Sequence, residues 1–137
     1  MPLAIEPLHP MYAADRACVN TLAHANDLCE ELGEGLGVAV DAYHVWWDPN
    51  LNREIQRAAG HILGFHVCDW LVPTTDFLLD RGMMGDGIID LAAMNKMVTA
   101  AGYEGPIEVE IFSAENWWKR EGDDVMATIV KRFEHVV

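Results

Sequence analysis

Apolar residues fall along this chain in short unbroken runs, separated by stretches in which they recur at three- and four-residue steps. Leu3-Ala4-Ile5 is the first run, and Glu6-Pro7 closes it. Such a run reads as a strand, which Pro7 stops. His9-Pro10-Met11-Tyr12 reads as a loop. From Asp15, an N-cap residue type, the spacing becomes helical to about Leu32, with Cys18, Leu22, Ala25, Leu28, Cys29 and Leu32 on one face. Gly33, Gly35 and Gly37 break that pattern. Val38-Ala39-Val40 is a second run, ending on Asp41. A loop with Trp46, Trp47 and Pro49 leads to a short helix at about Leu51–Ala59. Ile62-Leu63-Gly64-Phe65 is the third run and ends at His66. A long loop extends from Pro73 to Gly87, and its segment Arg81-Gly82-Met83-Met84-Gly85-Asp86-Gly87 has the composition of tight turns. Asp90 caps a helix to about Ala101, which Gly102 ends. Pro106 to Phe112 is a fourth strand carrying Glu108 and Glu110, and a last helix lies within 123–135.

The order is β-α-β-α-β-α-β-α. Wholly apolar strands alternating with helices predict an α/β fold, a parallel sheet covered by helices. The chain has 137 residues, of which 51% are hydrophobic, enough for one domain over 1–137 with one core and too apolar for a disordered chain. Twenty-two acidic against nine basic residues give a formal charge of -13. That charge repels phosphate backbones, so neither nucleic acid nor an anionic membrane is an expected partner. A phosphorylated small molecule stays open, because a local cation can reverse the field inside a cleft. Cys18, Cys29 and Cys68 form no CxxC, which predicts a reduced, cytoplasmic protein. No apolar run is long enough to span a bilayer, and no secretory leader is expected at the start.

Each strand carries a polar residue at or near its C-terminal end: Glu6, Asp41, His66 and Glu110. Parallel α/β folds build their sites at that end. For one strand alone, an ordinary loop-starting polar residue is the simpler reading; four of four favour a site. Three carboxylates and an imidazole suit a hard or borderline divalent ion such as Mn²⁺, Co²⁺, Mg²⁺ or Zn²⁺. His44 and Asp69 each stand three residues beyond a ligand candidate. His44 is either a donor to a substrate oxygen or a surface loop residue. Asp69 is expected to hold an imidazole N–H and fix its tautomer. Glu108 shares a strand face with Glu110 and reads as a buried, paired acid or as the alternative ligand. Arg81, beside the glycine loop, is expected either to hold an oxygen-rich group or to pair with Asp80 or Asp86. Trp46, Trp47 and Trp70 either wall the apolar side of a sugar-sized pocket or pack, whereas Trp117 and Trp118 read as packing residues.

These segments carry a resemblance. Ile5-Glu6-Pro7, Val40-Asp41-Ala42-Tyr43-His44, Phe65-His66-Val67-Cys68-Asp69, Arg81 with Gly85-Asp86-Gly87, and Gly102-Tyr103-Glu104-Gly105-Pro106 leading to Val109-Glu110-Ile111-Phe112 resemble, in order and spacing, the sugar phosphate isomerase/epimerase family, the xylose isomerase-like TIM barrels. The resemblance covers nearly the whole chain and corresponds to strands five to eight of that (β/α)8 fold. It implies a divalent metal on Glu6, Asp41, His66 and Glu110, and substrate contacts from His44 and Arg81. It also implies proton transfer by Glu6 and Glu110 through an enediolate.

Four βα units cannot close a barrel, so half a barrel is expected to complete itself as a homodimer or with a complementary N-terminal half. The function this implies is a metal-dependent sugar or polyol isomerase/epimerase, or the metal-binding half of one. An inosose dehydratase-type lyase and a non-catalytic metal- or sugar-binding half-barrel are the alternatives. The family's endonuclease branch is the least expected, given the net charge of -13.

Overall fold

A computed structural model describes residues 1–137. The elements run β1 (Leu3–Ile5), α1 (Leu22–Leu32), β2 (Leu36–Asp41), α2 (Ala42–Val45), α3 (Leu51–Arg57), β3 (Ile62–Val67), β4 (Asp69–Trp70), β5 (Arg81–Gly82), α4 (Leu91–Ala100), β6 (Ile107–Val109) and α5 (Gly122–Val136). β1, β2, β3 and β6 form one parallel sheet in that order, with β1 and β6 at its two edges. This is the α/β half-barrel expected, four parallel strands with helices between them.

The core lies between the sheet and its helices. Val38, Val40, Phe65 and Val67 are fully buried in one cluster with Leu22, Ala25, Ile55, Met94 and Val98. Val38, Val40, Ile62 and Phe65 therefore do not line an uncovered barrel interior. Their faces are taken by α1, α3 and α4. By the two-residue strand period the opposite face carries Gly37, Ala39 and Asp41 on β2, and Gly64 and His66 on β3. A Cβ on Gly64 would lie 3.6 Å from the Cβ of Ala39 and 3.2 Å from Nε2 of His66, so the two strands present small residues side by side beneath the polar cluster.

Helix limits follow local chemistry, and one start differs from expectation. α1 begins at Leu22, and its cap is Thr21, whose Oγ1 accepts the His24 amide at 3.1 Å. Asp15 instead pairs with Arg16 at 2.8 Å, in a turn where the Tyr12 carbonyl accepts the amides of Asp15, Arg16 and Ala17. The Leu8 amide then reaches the Val19 carbonyl, and Asn20 reaches the Leu8 carbonyl, tying residues 13–20 back across the end of β1. Asp90 does cap α4, accepting the Ala93 amide at 2.9 Å, and Gly102 follows that helix with φ +87°.

Inside the expected long loop, β4 and β5 pair antiparallel, Asp69 opposite Gly82 and Trp70 opposite Arg81. The ladder of the fourth strand stops at Val109, short of Phe112, although the Glu110 amide still reaches the Val67 carbonyl at 3.1 Å. No helix is long and apolar enough to cross a membrane.

Candidate metal centre

Four strands deliver four side chains to one end of the sheet. Glu6 follows β1, Asp41 ends β2, His66 is the penultimate residue of β3, and Glu110 follows β6. One ligand atom from each lies within 4.8 Å of all the others. The register explains the meeting: Asp41 is opposite His66, and Glu110 extends the strand that pairs with β3.

Asp41 is the deepest member, with no exposed surface. Its Oδ1 accepts the Tyr43 amide at 2.8 Å, which makes it the N-cap of α2. This single turn of helix was not expected from the sequence, and it brings His44 back over Asp41, with Nε2 3.6 Å from Oδ2. Burial pushes the Asp41 carboxyl up to about 8, with Glu6 and Glu110 adding to the rise and the Arg81 guanidinium opposing it. Burial likewise raises Glu6, against the pull of His66. Nδ1 of His66 is buried with no hydrogen-bond partner, 3.8 Å from Glu6 Oε1 and 3.9 Å from Glu110 Oε2. An unpartnered imidazole nitrogen among three carboxylates is costly as it stands, and a divalent cation would satisfy every member of the set. The donor set therefore fits Mn²⁺, Co²⁺, Mg²⁺ or Zn²⁺.

Arg81 closes one side. Its Nη1 donates to Asp41 Oδ2 at 3.0 Å and to Glu110 Oε2 at 3.1 Å, so the expected alternatives Asp80 and Asp86 are not its partners. Tyr43 and Phe112 flank the guanidinium, their ring centroids 4.3 and 4.9 Å from Cζ. Burial alone would weaken this cation, but Asp41, Cys68 and Glu110 outweigh it and keep it charged. Nη2 of Arg81 stands 3.2 Å from Nε2 of His44. His44 is buried rather than on the surface, and its Nδ1 accepts the His9 amide at 3.1 Å. Burial, seconded by Arg81, lowers its pKa to about 3, so the ring is neutral and carries its proton on Nε2. These two nitrogens sit side by side, and both residues border one cleft.

The cleft has a volume of about 190 Å³ and is bordered by Glu6, Tyr12, His44, Arg81, Glu110 and Phe112. A larger cleft of about 410 Å³, between residues 11–16 and 74–78, contains none of the four ligand candidates.

Three expectations are corrected. Asp69 holds no imidazole: its Oδ1 accepts the amides of Trp70 and Ile89, both at 2.9 Å, and its Oδ2 those of Gly85 and Gly87, at 2.9 and 2.8 Å. It clasps the glycine loop that follows Arg81. Glu108 is not buried; its side chain is 75% exposed, with Oε2 3.5 Å from His66 Nε2. The tryptophans do not wall the cleft. Trp70 stacks on His9 at 4.9 Å and on Tyr43 at 4.8 Å behind it, while Trp117 is buried and Trp118 exposed. The apolar wall is Tyr12, Leu78 and Phe112 instead. Phe112 was findable, since it lies one strand period beyond Glu110. Tyr12 carries no local signal, because a loop reversal brings it there.

Residues 1–128 match the xylose isomerase-like TIM barrel. The chain belongs to that family. A solved neighbour, the protein SMc04130 from Sinorhizobium meliloti 1021, superposes with a TM-score of 0.98 at 64% identity, over 99% of this chain and 50% of that one. A crystal structure of the IOLI protein with a bound zinc atom superposes with a TM-score of 0.79 at 26% identity, over 100% of this chain and 49% of that one. Among curated proteins, the L-ribulose-5-phosphate 3-epimerase UlaE of Shigella flexneri serotype 5b (strain 8401) is 28% identical over 90 residues, 66% of this chain and 28% of that epimerase. The chain thus spans about half the length of its solved relatives and less of this curated one.

Proposed function

We propose that this protein carries the metal centre of a sugar or polyol isomerase/epimerase that moves a proton at the carbon beside a carbonyl group. The observation that carries the reading is the convergence of Glu6, Asp41, His66 and Glu110 within 4.8 Å, with His66 Nδ1 buried and unpartnered. The zinc in the IOLI structure and the epimerase chemistry of UlaE support it. Glu6, Asp41, His66 and Glu110 would hold a divalent cation, which when bound supplies positive charge to polarise the substrate carbonyl. Glu6 and Glu110 reach the centre from the two opposite edges of the sheet, as the acid and the base of an epimerisation must. One carboxylate takes the proton, giving the enediolate, and the other returns one to the opposite face. The N–H groups of His44 Nε2 and Arg81 Nη2, 3.2 Å apart, orient one substrate oxygen between them. Asp69 acts at a distance, holding the loop that follows Arg81.

The reading extends to assembly. Both sheet edges, β1 and β6, are open, and α5 exposes Met126, Val130 and Phe133 along one side. We take these as the surfaces that a second copy or a complementary half-barrel covers, with residues 1–137 acting as one folding unit. Three free cysteines suit a reducing, cytoplasmic setting.

The test is solvent exchange. Protein loaded with Mn²⁺, Co²⁺ or Zn²⁺ is incubated with a panel of ketoses in D₂O, and deuterium at the carbon next to the carbonyl is followed by NMR. Exchange that Glu6→Gln and Glu110→Gln each abolish supports the reading. No exchange by demonstrably metal-loaded protein rejects it.

A further inference from the structure

The guanidinium of Arg81 makes its polar contacts with groups that the metal centre also claims. Nη1 donates to Asp41 Oδ2 and Glu110 Oε2, with a long contact of 3.9 Å to Cys68 Sγ, and Nη2 lies beside His44 Nε2. Nε is buried without a hydrogen-bond partner. A divalent cation on Asp41 and Glu110 would compete with Nη1 for both carboxylates, so these bonds cannot by themselves fix the plane of the group. The contacts with Tyr43 and Phe112 differ in kind. They run through the faces of the rings, for which a metal ion held by carboxylates does not compete.

Tyr43 is the better anchored of the two rings. Phe112 is half-buried and rests edge-on against the exposed Trp118, whereas Tyr43 has no exposed surface. The backbone of Tyr43 is held in the single turn α2, where its amide donates to Asp41 Oδ1. At the far end of the ring its hydroxyl donates to the Phe77 carbonyl at 2.9 Å, and the same carbonyl accepts the Tyr12 hydroxyl. Trp70 stacks on the Tyr43 ring at 4.8 Å, and Trp70 is the residue directly opposite Arg81 in the β4–β5 pair. Ring and guanidinium are thus tied to the same short ladder.

We propose that Tyr43 is a positioning residue for Arg81, its ring holding the guanidinium in place while Asp41 and Glu110 change partners. This deepens the proposed function and rests on it in one respect: Arg81 can orient a substrate oxygen beside His44 only if its guanidinium stays where it is.

The side-chain Nε–H of Arg81 reports the position without any turnover. In ¹H–¹⁵N spectra of the full chain, with and without Zn²⁺, wild-type protein is expected to show a sharp, slowly exchanging Nε–H signal, assigned by its loss in Arg81→Lys. Tyr43→Leu should broaden that signal by solvent exchange or move it downfield, out of the shielding of the ring. Tyr43→Phe keeps the ring and should keep the signal. Tyr43→Met, closer in volume to tyrosine, replaces the leucine variant if that variant does not fold. In the deuterium-exchange assay kcat/KM should fall at least about tenfold in Tyr43→Leu, and Tyr43→Phe should recover most of the loss. A wild-type signal lost on addition of Zn²⁺, or a Tyr43→Leu signal identical to that of the wild type, overturns the proposal, as does a Tyr43→Phe spectrum that matches Tyr43→Leu. Wild-type protein that exchanges no substrate proton overturns the proposed function, while the spectra still decide the part of Tyr43.

Discussion

Asp69→Asn should cost about 3 kcal/mol of stability, although it changes one atom of a side chain that touches neither the ligand set nor the cleft lining. The Asp69 carboxylate is fully buried and accepts four backbone amides, two on each oxygen. A hydrogen bond to a charged acceptor contributes ~1.5–3 kcal/mol, and leaving a buried donor unsatisfied costs a similar amount. Asparagine keeps one carbonyl oxygen, and so two of the bonds. Its amide nitrogen then faces two N–H groups, donor against donor. The oxygen stays with Trp70 and with Ile89, which is buried, and the nitrogen faces the amides of Gly85 and Gly87, whose charge-assisted bonds are lost. The loss therefore comes from about two bonds. Asp69→Ala removes all four but also the donor clash, for a cost of about 4 kcal/mol. Urea denaturation measures both. With an m-value of ~2 kcal/mol/M, the Asn midpoint should fall by about 1.5 M at unchanged slope. The loop cannot readily find another seat, because a Cβ on Gly87 would come within 2.0 Å of the Trp70 carbonyl oxygen. An Asn variant within about 0.5 kcal/mol of the wild type would show that the carboxylate does not hold this loop.

Three more outcomes are expected. His66→Ala should weaken divalent metal binding by more than tenfold in a competitive chelator titration, since it removes the only nitrogen donor; stoichiometric metal in a His66→Ala, Glu110→Ala double variant would refute the ligand set. Gly64→Ala places a Cβ 3.2 Å from His66 Nε2, so it should lower metal affinity in the same titration while costing little stability, and unchanged affinity would show the imidazole has room to move. The third outcome concerns pH. Asp41 has a folded pKa raised to about 8 against an unfolded value of ~3.9, so its contribution favours the metal-free fold at low pH and is lost as pH rises through 8. His44, with a folded pKa of about 3, adds the opposite slope only below ~6.5. Between these limits, from pH 6.5 to 8, metal-free Tm should fall with rising pH; Asp41→Asn or saturating metal should flatten the slope, and a rising wild-type Tm would refute the assignment of burial as its cause.

The elements that formed as expected are those whose cause is local. Leu3-Ala4-Ile5, Val38 to Val40 and Ile62 to Phe65 are apolar runs bounded by breakers, and each is a strand of the sheet. Asp90 and Gly102 bracket α4 by capping chemistry that needs no partner from elsewhere. The convergence of Glu6, Asp41, His66 and Glu110 was legible for a different reason: a parallel sheet has one C-terminal end, so a polar residue closing each strand must arrive there. Asp15 has the chemistry of a cap too, but Arg16 and the reversal at Tyr12 took it, and only the folded chain sets that competition. The faces of Val38 and Phe65 were not decidable from alternation, because a period of two gives two faces without saying which one the helices cover. The partners of Asp69 and Arg81 depend on β4 and β5 meeting across ten residues of loop, and the placement of Tyr12 depends on residues 13–20 returning to Leu8. Sequence determined at which end of the sheet the candidate residues gather. Tertiary structure decided which of them touch, because contact between distant segments is set by the packing of the whole core and by which donor reaches an acceptor first.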